Sequence, residues 1–167
     1  MAKYTMGGRP ITVEEKELKI GQRAPSFELV GNEFNILTND LFYGKVIILS
    51  CIPSIDTPIC SMQTRRFHEE VTKLSKDVRV ITVSKDLPFA QSRWCAANGV
   101  DNVIMASDYR NLGFASEYGV LIKEMGLLAR AVFVLDKEGK IQYIQRVTEM
   151  AQEPKYAPVL EAVNKLI

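Results

Sequence analysis

Three cysteines, Cys51, Cys60 and Cys95, carry the most reactive side chains of this sequence. Their number is odd and no Cys-x-x-Cys pair occurs, so the spacing does not predict a disulfide scaffold. In a reducing compartment such cysteines are inert core residues, metal ligands or reactive thiols. The only histidine is His68, and without short paired spacings these four residues do not form a typical zinc-ligand set. We therefore expect no metal site.

Cys60 lies where a helix is expected to begin. Thr57 is a typical N-cap and the proline after it a typical first helical residue, which places Cys60 at the third helical position. Unpaired backbone amides and the positive end of the helix dipole favour a thiolate there, so we expect a nucleophilic sulfur. Apolar residues on the same helical face are Phe67, Val71 and Leu74. The thiol is therefore expected to point inward, into a pocket.

The position of Cys60 alone leaves two interpretations open. Free cysteine is among the most buried residue types, so the thiol could be a small packed side chain. The hydroxyl of Thr57, one helical turn earlier, favours the reactive interpretation, because it can hydrogen-bond both the sulfur and a ligand.

The elements around Cys60 follow an α/β pattern. Runs of β-branched apolar residues predict buried strands at 46–49, 78–83 and 131–135, with a weaker candidate at 102–105. Apolar residues at helical spacing predict helices at 60–74, at 88–98 before Gly99, and around the C-terminal residues Val159, Leu160, Val163 and Leu166.

Turn signals complete the fold prediction. Gly7-Gly8 separates two short strand candidates, 4–6 and 11–13, and predicts an N-terminal β-hairpin. A turn at 136–140 leads from the third strand into an antiparallel strand at 141–147. A βαβ crossover followed by a hairpin and a helix predicts a thioredoxin-like fold, with a central mixed β-sheet flanked by helices.

Three segments then resemble one family. Residues 54–60, Ser-Ile-Asp-Thr-Pro-Ile-Cys, resemble the peroxidatic motif of the peroxiredoxins, specifically that of the bacterial thiol peroxidase branch. Residues 86–95, Asp-Leu-Pro-Phe-Ala-Gln-Ser-Arg-Trp-Cys, are similar to the segment that carries the resolving cysteine in that branch. Residues 128–134 resemble the strand that supplies the active-site arginine. With the hairpin, the resemblance runs nearly from end to end.

The resemblance implies a thiol peroxidase of the atypical two-cysteine type. Cys60 would attack a hydroperoxide and become a sulfenic acid, and Cys95 would resolve it to an intramolecular disulfide that a thioredoxin reduces. Thr57, Arg130 and the Cys60 amide would stabilise the charge that moves onto the peroxide oxygens. Pro53 would shield the pocket from water. The resemblance also implies a homodimer.

Local sequence pattern alone, without the resemblance, gives its own expectations for several residues. From strand position alone, Arg130 at the start of an edge strand would be expected to be solvated. Cys51 matches no family motif and is expected to be a buried packing thiol. The stretch 63–70, with alternating charges, is expected to be the solvated side of its helix.

The helix of Cys95 is expected to pack through Ala90, Trp94 and Ala97, which leaves the thiol beside the buried stripe. A disulfide requires Cα atoms within ~7 Å, and two cysteines on separate helices do not meet without movement. We therefore expect local unwinding at Cys60 and Cys95 on oxidation.

Length, charge and composition narrow the classes of protein to which this chain can belong. The chain has 167 residues, which suggests one domain over 1–167, and 21 basic against 20 acidic residues give a net charge of +1. Bases and acids are interleaved, which disfavours a nucleic-acid binder. No apolar stretch approaches the ~18 residues of a membrane span, and no apolar leader begins the chain, so a cytoplasmic protein is expected. No nucleotide-binding motif occurs, and no cofactor is expected.

Two other functions would use part of the same chemistry. A thioredoxin-like disulfide oxidoreductase is disfavoured because its Cys-x-x-Cys is missing. A peroxide-sensing redox switch without high turnover uses the same thiolate, and only the reaction rate separates it from an enzyme. Apolar neighbours such as Ile59 favour alkyl or lipid hydroperoxides beside hydrogen peroxide.

Overall fold

The computed structural model describes residues 3–101 and 103–167. Its strands are β1 (Tyr4–Met6), β2 (Arg9–Ile11), β3 (Val13–Glu14), β4 (Glu28–Val30), β5 (Ile36–Thr38), β6 (Val46–Cys51), β7 (Val78–Ser84), β8 (Val103–Ser107), β9 (Leu121–Ile122), β10 (Leu127–Leu128), β11 (Ala131–Leu135) and β12 (Ile141–Arg146). Its helices are α1 (Pro58–Thr72), α2 (Pro88–Asn98), α3 (Phe114–Glu117) and α4 (Tyr156–Asn164), with a short 3-10 turn at Asn39–Phe42.

The predicted strands form the centre of a mixed sheet. Within the described residues, the order of its seven strands is β12-β11-β6-β7-β8-β4-β5. Strands β6, β7 and β8 are parallel, and the other neighbours are antiparallel. The prediction at 131–135 is confirmed as β11, and those at 46–49 and 78–83 are confirmed with short extensions. The weaker candidate is β8, although its first predicted residue, Asn102, lies outside the described residues.

Both faces of this sheet are covered, which explains the continuous apolar runs. Along β6, Ile47, Leu49 and Cys51 belong to the hydrophobic cluster on one face. Val46 and Ile48 belong to the cluster on the other face, where buried residues of α1, α2 and α4 pack. The alternation means that a side chain in β6 faces one cluster or the other, never both.

The N-terminal hairpin forms, but its second arm begins earlier than predicted. Gly7 and Gly8 have φ values of 58° and 82°, as a tight two-residue hairpin turn requires. Met6 therefore pairs with Arg9, and β2 ends at Ile11. Val13, expected in that arm, instead begins β3, which pairs with β9.

The sheet register brings several loops to one edge. Ala131 at the start of β11 pairs with Cys51 at the end of β6, and Cys51 pairs with Val83 near the end of β7. The loops that follow β6 and β7, and the residue before β11, therefore share the carboxyl edge of the parallel strands. In open α/β sheets this edge is where ligands bind. Across the described ranges, no helix is long and apolar enough to span a bilayer.

Candidate active site

The start of α1 is capped as predicted. Thr57 is extended, with φ −92° and ψ 149°, and its Oγ1 accepts a hydrogen bond from the Cys60 amide at 3.3 Å. The Thr57 hydroxyl itself donates to the carbonyl oxygen of Ser54 at 3.2 Å. In this structure the hydroxyl proton is thus directed at the preceding loop rather than at the Cys60 sulfur.

Cys60 is completely buried. Its side chain has 0% exposure and packs in the cluster that α1 shares with α2 and α4. Pro53, in the loop between β6 and α1, is buried as well. Because neighbouring side chains enclose Cys60 completely, a reactant reaches the sulfur only when those side chains shift.

Arg130 lies directly against the Cys60 sulfur. Its Nη2 donates to Sγ at 3.4 Å and to the carbonyl oxygen of Met150 at 2.7 Å. The side chain is only 1% exposed. The expectation of a solvated arginine on an edge strand is wrong, because β11 lies between β12 and β6 and its first residues are interior.

Gln63 is a further residue of the site, in contact with Arg130, that the sequence pattern did not predict. Its Oε1 accepts from Arg130 Nη1 at 2.8 Å, and its Nε2 donates to Ser50 Oγ at 2.7 Å. Both Gln63 and Thr64 are fully buried, so the prediction of a solvated side over 63–70 is wrong for these two residues. The missing signal was helical spacing, since Gln63 is one turn after Cys60 and shares its face.

The N-terminal hairpin supports the Met150 carbonyl that holds Arg130. The Met150 amide donates to the Thr5 carbonyl oxygen at 2.8 Å. The Glu149 carboxylate accepts from the amides of Gly7 and Gly8 at 3.0 and 2.8 Å and from Thr5 Oγ1 at 3.0 Å. A bond from the Ala151 amide at 2.6 Å and then these bonds from the hairpin lower the pKa of Glu149 to about 2. The hairpin turn is therefore tied to the segment that positions Arg130.

Cys95 lies on α2 and contacts the same hydrophobic cluster as Cys60. It is a free thiol of intermediate exposure, and burial raises its pKa above the ordinary value. Residues of α2 that face inward are Pro88, Gln91 and Trp94. The predicted inward face was wrong at Ala97, which is exposed, because polar Gln91 takes a core position by donating to Ser84 Oγ and to the Ala106 carbonyl.

Comparison with known proteins places this chain in a family. Residues 19–160 match the Redoxin family. A thiol peroxidase of Bacillus subtilis is 48% identical over 167 residues, which cover 100% of this chain and 99% of the relative. A thiol peroxidase of Oceanobacillus iheyensis is 46% identical over 165 residues, covering 99% and 100%. The chain belongs to the thiol peroxidase branch of the peroxiredoxins.

Solved structures agree with this assignment. A crystal structure of a peroxiredoxin-like protein from Aquifex aeolicus superposes with a TM-score of 0.90 at 40% identity, over 99% of this chain and 97% of the other. A thiol peroxidase from Chromobacterium violaceum, at 19% identity, shares the fold with a TM-score of 0.88. The predicted thioredoxin-like fold is confirmed, and the protein is a peroxiredoxin-type peroxidase.

The third cysteine of this peroxiredoxin lies apart from the site. Cys51 is 0% exposed and belongs to the hydrophobic cluster on the opposite face of the sheet from Cys60. Burial raises its pKa above the ordinary value, which disfavours the thiolate, the reactive form of a cysteine. It is a packing thiol, as predicted.

Proposed function

We propose that this peroxiredoxin reduces hydrogen peroxide and organic hydroperoxides with Cys60 as its nucleophile. The observation that supports this most strongly is the buried contact of 3.4 Å between Arg130 Nη2 and Cys60 Sγ. A fixed cation at that position stabilises negative charge on the sulfur and on the peroxide oxygens that receive it.

The first step is a displacement at oxygen. The Cys60 thiolate attacks the terminal peroxide oxygen, the O–O bond breaks, and the departing oxygen takes a proton to become water or an alcohol. Cys60 becomes a sulfenic acid. We assign Arg130, the Cys60 amide and the Thr57 hydroxyl to the developing charge; the hydroxyl proton must first turn away from Ser54, and the amide must share or release its bond to Thr57 Oγ1. Pro53 and the apolar wall of the site exclude water and suit alkyl hydroperoxides.

In the second step, we assign Cys95 as the resolving residue. Its thiolate attacks the Cys60 sulfenic sulfur, an S–S bond forms, and hydroxide leaves as water after protonation. Support comes from the cluster that contains both cysteines, whereas Cys51 lies across the sheet. Because the two thiols are on separate helices, we infer that the start of α1 and part of α2 unwind for this step.

Recycling requires an external dithiol. A thioredoxin-type protein would attack the Cys60–Cys95 disulfide and leave with its own two cysteines oxidised, which restores both thiols.

We also infer, from the resemblance, a homodimer that works in the cytoplasm as part of antioxidant defence. Light scattering on the reduced protein tests the dimer.

The decisive experiment treats reduced protein with one equivalent of hydrogen peroxide and maps the thiols by peptide mass. We expect a Cys60–Cys95 disulfide and one free thiol, Cys51, of the three in the chain. Cys60→Ser should abolish the reaction. Survival of all three thiols would overturn the proposal. Repeated turnover with thioredoxin, thioredoxin reductase and NADPH separates this enzyme from a peroxide sensor that reacts once.

A further inference from the structure

A single carboxylate connects the two segments that carry the reactive cysteines. Asp86 lies between β7 and α2, two residues before Pro88. Its Oδ1 accepts from Ser54 Oγ at 2.7 Å, and its Oδ2 accepts from the Ile55 amide at 2.7 Å. We call these two hydrogen bonds the Asp86 bridge. They join the loop that precedes Cys60 to the loop that precedes the helix of Cys95.

The Asp86 end of the bridge is fixed to the sheet. Ser84, at the end of β7, donates its hydroxyl proton to Asp86 Oδ2 at 2.6 Å, and Ser107, at the end of β8, donates to the Asp86 backbone carbonyl. Both serines are completely buried. Motion that breaks the bridge therefore moves the loop of Ser54 and Ile55, not Asp86.

Other contacts between the two segments are weaker or lie further along the helices. The Trp94 indole donates to Ser61 Oγ at 3.0 Å. Arg93 and Asp56 approach to 4.0 Å, with side chains 72% and 63% exposed, and such a pair contributes little. A carboxylate that accepts from a hydroxyl and an amide makes charge-assisted bonds of roughly twice the ordinary strength. The Asp86 bridge is thus the strongest polar link at this point.

The bridge holds the arrangement in which Cys60 meets Arg130. Ser54 accepts through its carbonyl oxygen from Thr57, and Thr57 caps the helix at the Cys60 amide. Fixing Ser54 and Ile55 therefore keeps the first turn of α1 folded. A disulfide with Cys95 requires that turn to leave its place, because the paired Cα atoms must come within ~7 Å.

We propose that Asp86 is a positioning residue that sets the rate of disulfide formation. The Asp86 bridge keeps the start of α1 folded while the peroxide reacts, and it breaks before the Cys95 sulfur reaches the Cys60 sulfenic acid. The chemistry of that step is unchanged: Cys60-SOH and Cys95-SH give the disulfide and water. This inference rests on the proposed function, whose two cysteine roles it uses.

Ser54→Ala is the sharpest test, because it removes one bond of the bridge and leaves Asp86 and every cysteine in place; among the described residues, the only other bond it removes is the exposed one from the Asp56 amide to Ser54 Oγ, within the same loop. If opening limits the second step, the variant should form the disulfide roughly tenfold faster, the rate equivalent of one charge-assisted hydrogen bond. The preceding sulfenic acid step should keep its rate, because the folded arrangement with Cys60 against Arg130 stays the major one when a rare opening becomes about tenfold more frequent. Asp86→Asn should act in the same direction, and the double variant should show less than the sum of the two effects.

Two measurements separate the steps. Sulfenic acid formation is measured in the Cys95→Ser background with a trapping reagent, and disulfide formation by acid quench and mass. Trp94 is the only tryptophan, so its fluorescence follows the loss of its contact with Ser61 in real time. At high peroxide, faster resolution should also lower the fraction of Cys60 converted to sulfinic acid, which competes with disulfide formation.

Asp136→Asn is the matched control. Its carboxylate accepts from the amides of Glu138 and Lys140 and from Gln142, but it follows Leu135, which pairs with Ile47 at the opposite end of the sheet. This control should leave the disulfide rate unchanged. An unchanged rate in Ser54→Ala, with a normal disulfide, would overturn the role of Asp86 alone. A wild-type protein without any Cys60–Cys95 disulfide would overturn the proposed function instead.

Discussion

At the scale of single residues, Arg130 is held by three partners: the Cys60 sulfur, Gln63 Oε1 and the Met150 carbonyl oxygen. The cap at Thr57 and the position of Cys60 follow from local rules about helix starts, and the structure has both. Arg130 was recognisable only by resemblance, because local pattern does not reveal that β11 is an interior strand. Gln63 was missed because a polar residue beside charged ones is typical of a solvated surface, and its partner is 67 positions away.

The first prediction concerns the guanidinium of Arg130. Arg130→Lys keeps the charge, but an ammonium cannot contact Cys60, Gln63 and Met150 in the forked geometry of the arginine. We expect the first step to slow roughly 100-fold, comparable to the loss of a preorganised donor in other enzymes. Stopped-flow measurement of sulfenic acid formation in the Cys95→Ser background checks this.

The control for Arg130 is Arg93→Lys, a conservative change at an exposed position on α2. It should leave the first step unchanged. Circular dichroism must show that Arg130→Lys is folded. A folded variant that reacts at the wild-type rate would return Arg130 to a structural role.

At the scale of elements, apolar periodicity predicts strands and helices well and predicts their partners poorly. The strands β6, β7 and β11 were clear because both faces of each are buried. The inward face of α2 was not clear from the sequence, because the polar residue Gln91 occupies a core position on it. The N-terminal hairpin was predicted, but its contact with Glu149 spans more than 140 positions and leaves no local signal in either segment.

The second prediction follows from that contact. Because amides and a hydroxyl lower the folded pKa of Glu149 from 4.5 to about 2, its contribution to stability is complete above pH 4.5 and is lost as the pH falls toward 2. Glu149→Gln should therefore lower the stability at pH 7 and make little difference near pH 2. Urea unfolding of the wild-type protein and of Glu149→Gln across this pH range measures the difference in their free energies of unfolding.

The same variant should also slow the first step, because Glu149 supports the Met150 carbonyl that holds Arg130. Asp77→Asn is a matched control: the pKa of Asp77 is likewise lowered, by Lys45 and Lys137, but Asp77 has no contact with the site. It should change the acid dependence of stability and leave the reaction rate alone. Equal rate losses in the two variants would contradict a specific role for the hairpin.

At the scale of the whole molecule, the sheet separates the cysteines chemically. Cys60 and Cys95 share the cluster on one face, whereas Cys51 belongs to the other. The separation follows from strand alternation: Cys51 shares the face of Ile47 and Leu49 in β6. A sequence shows this alternation, but which face α1 and α2 cover depends on the crossover connections, which local patterns do not specify.

The third prediction tests that separation. In Cys95→Ser the Cys60 sulfenic acid has no partner on its own face, and reaching Cys51 would require β6 to leave its pairs with β7 and β11. Breaking the centre of the sheet approaches global unfolding in free energy. We therefore expect oxidised Cys95→Ser to accumulate sulfenic acid, then sulfinic acid, with no Cys51–Cys60 disulfide by peptide mass. Cys51→Ala in the same background should give the same products at the same rates. A Cys51–Cys60 bridge in native buffer would instead mean that the central strands open on the time scale of the reaction, and that Cys51 competes for the sulfenic acid.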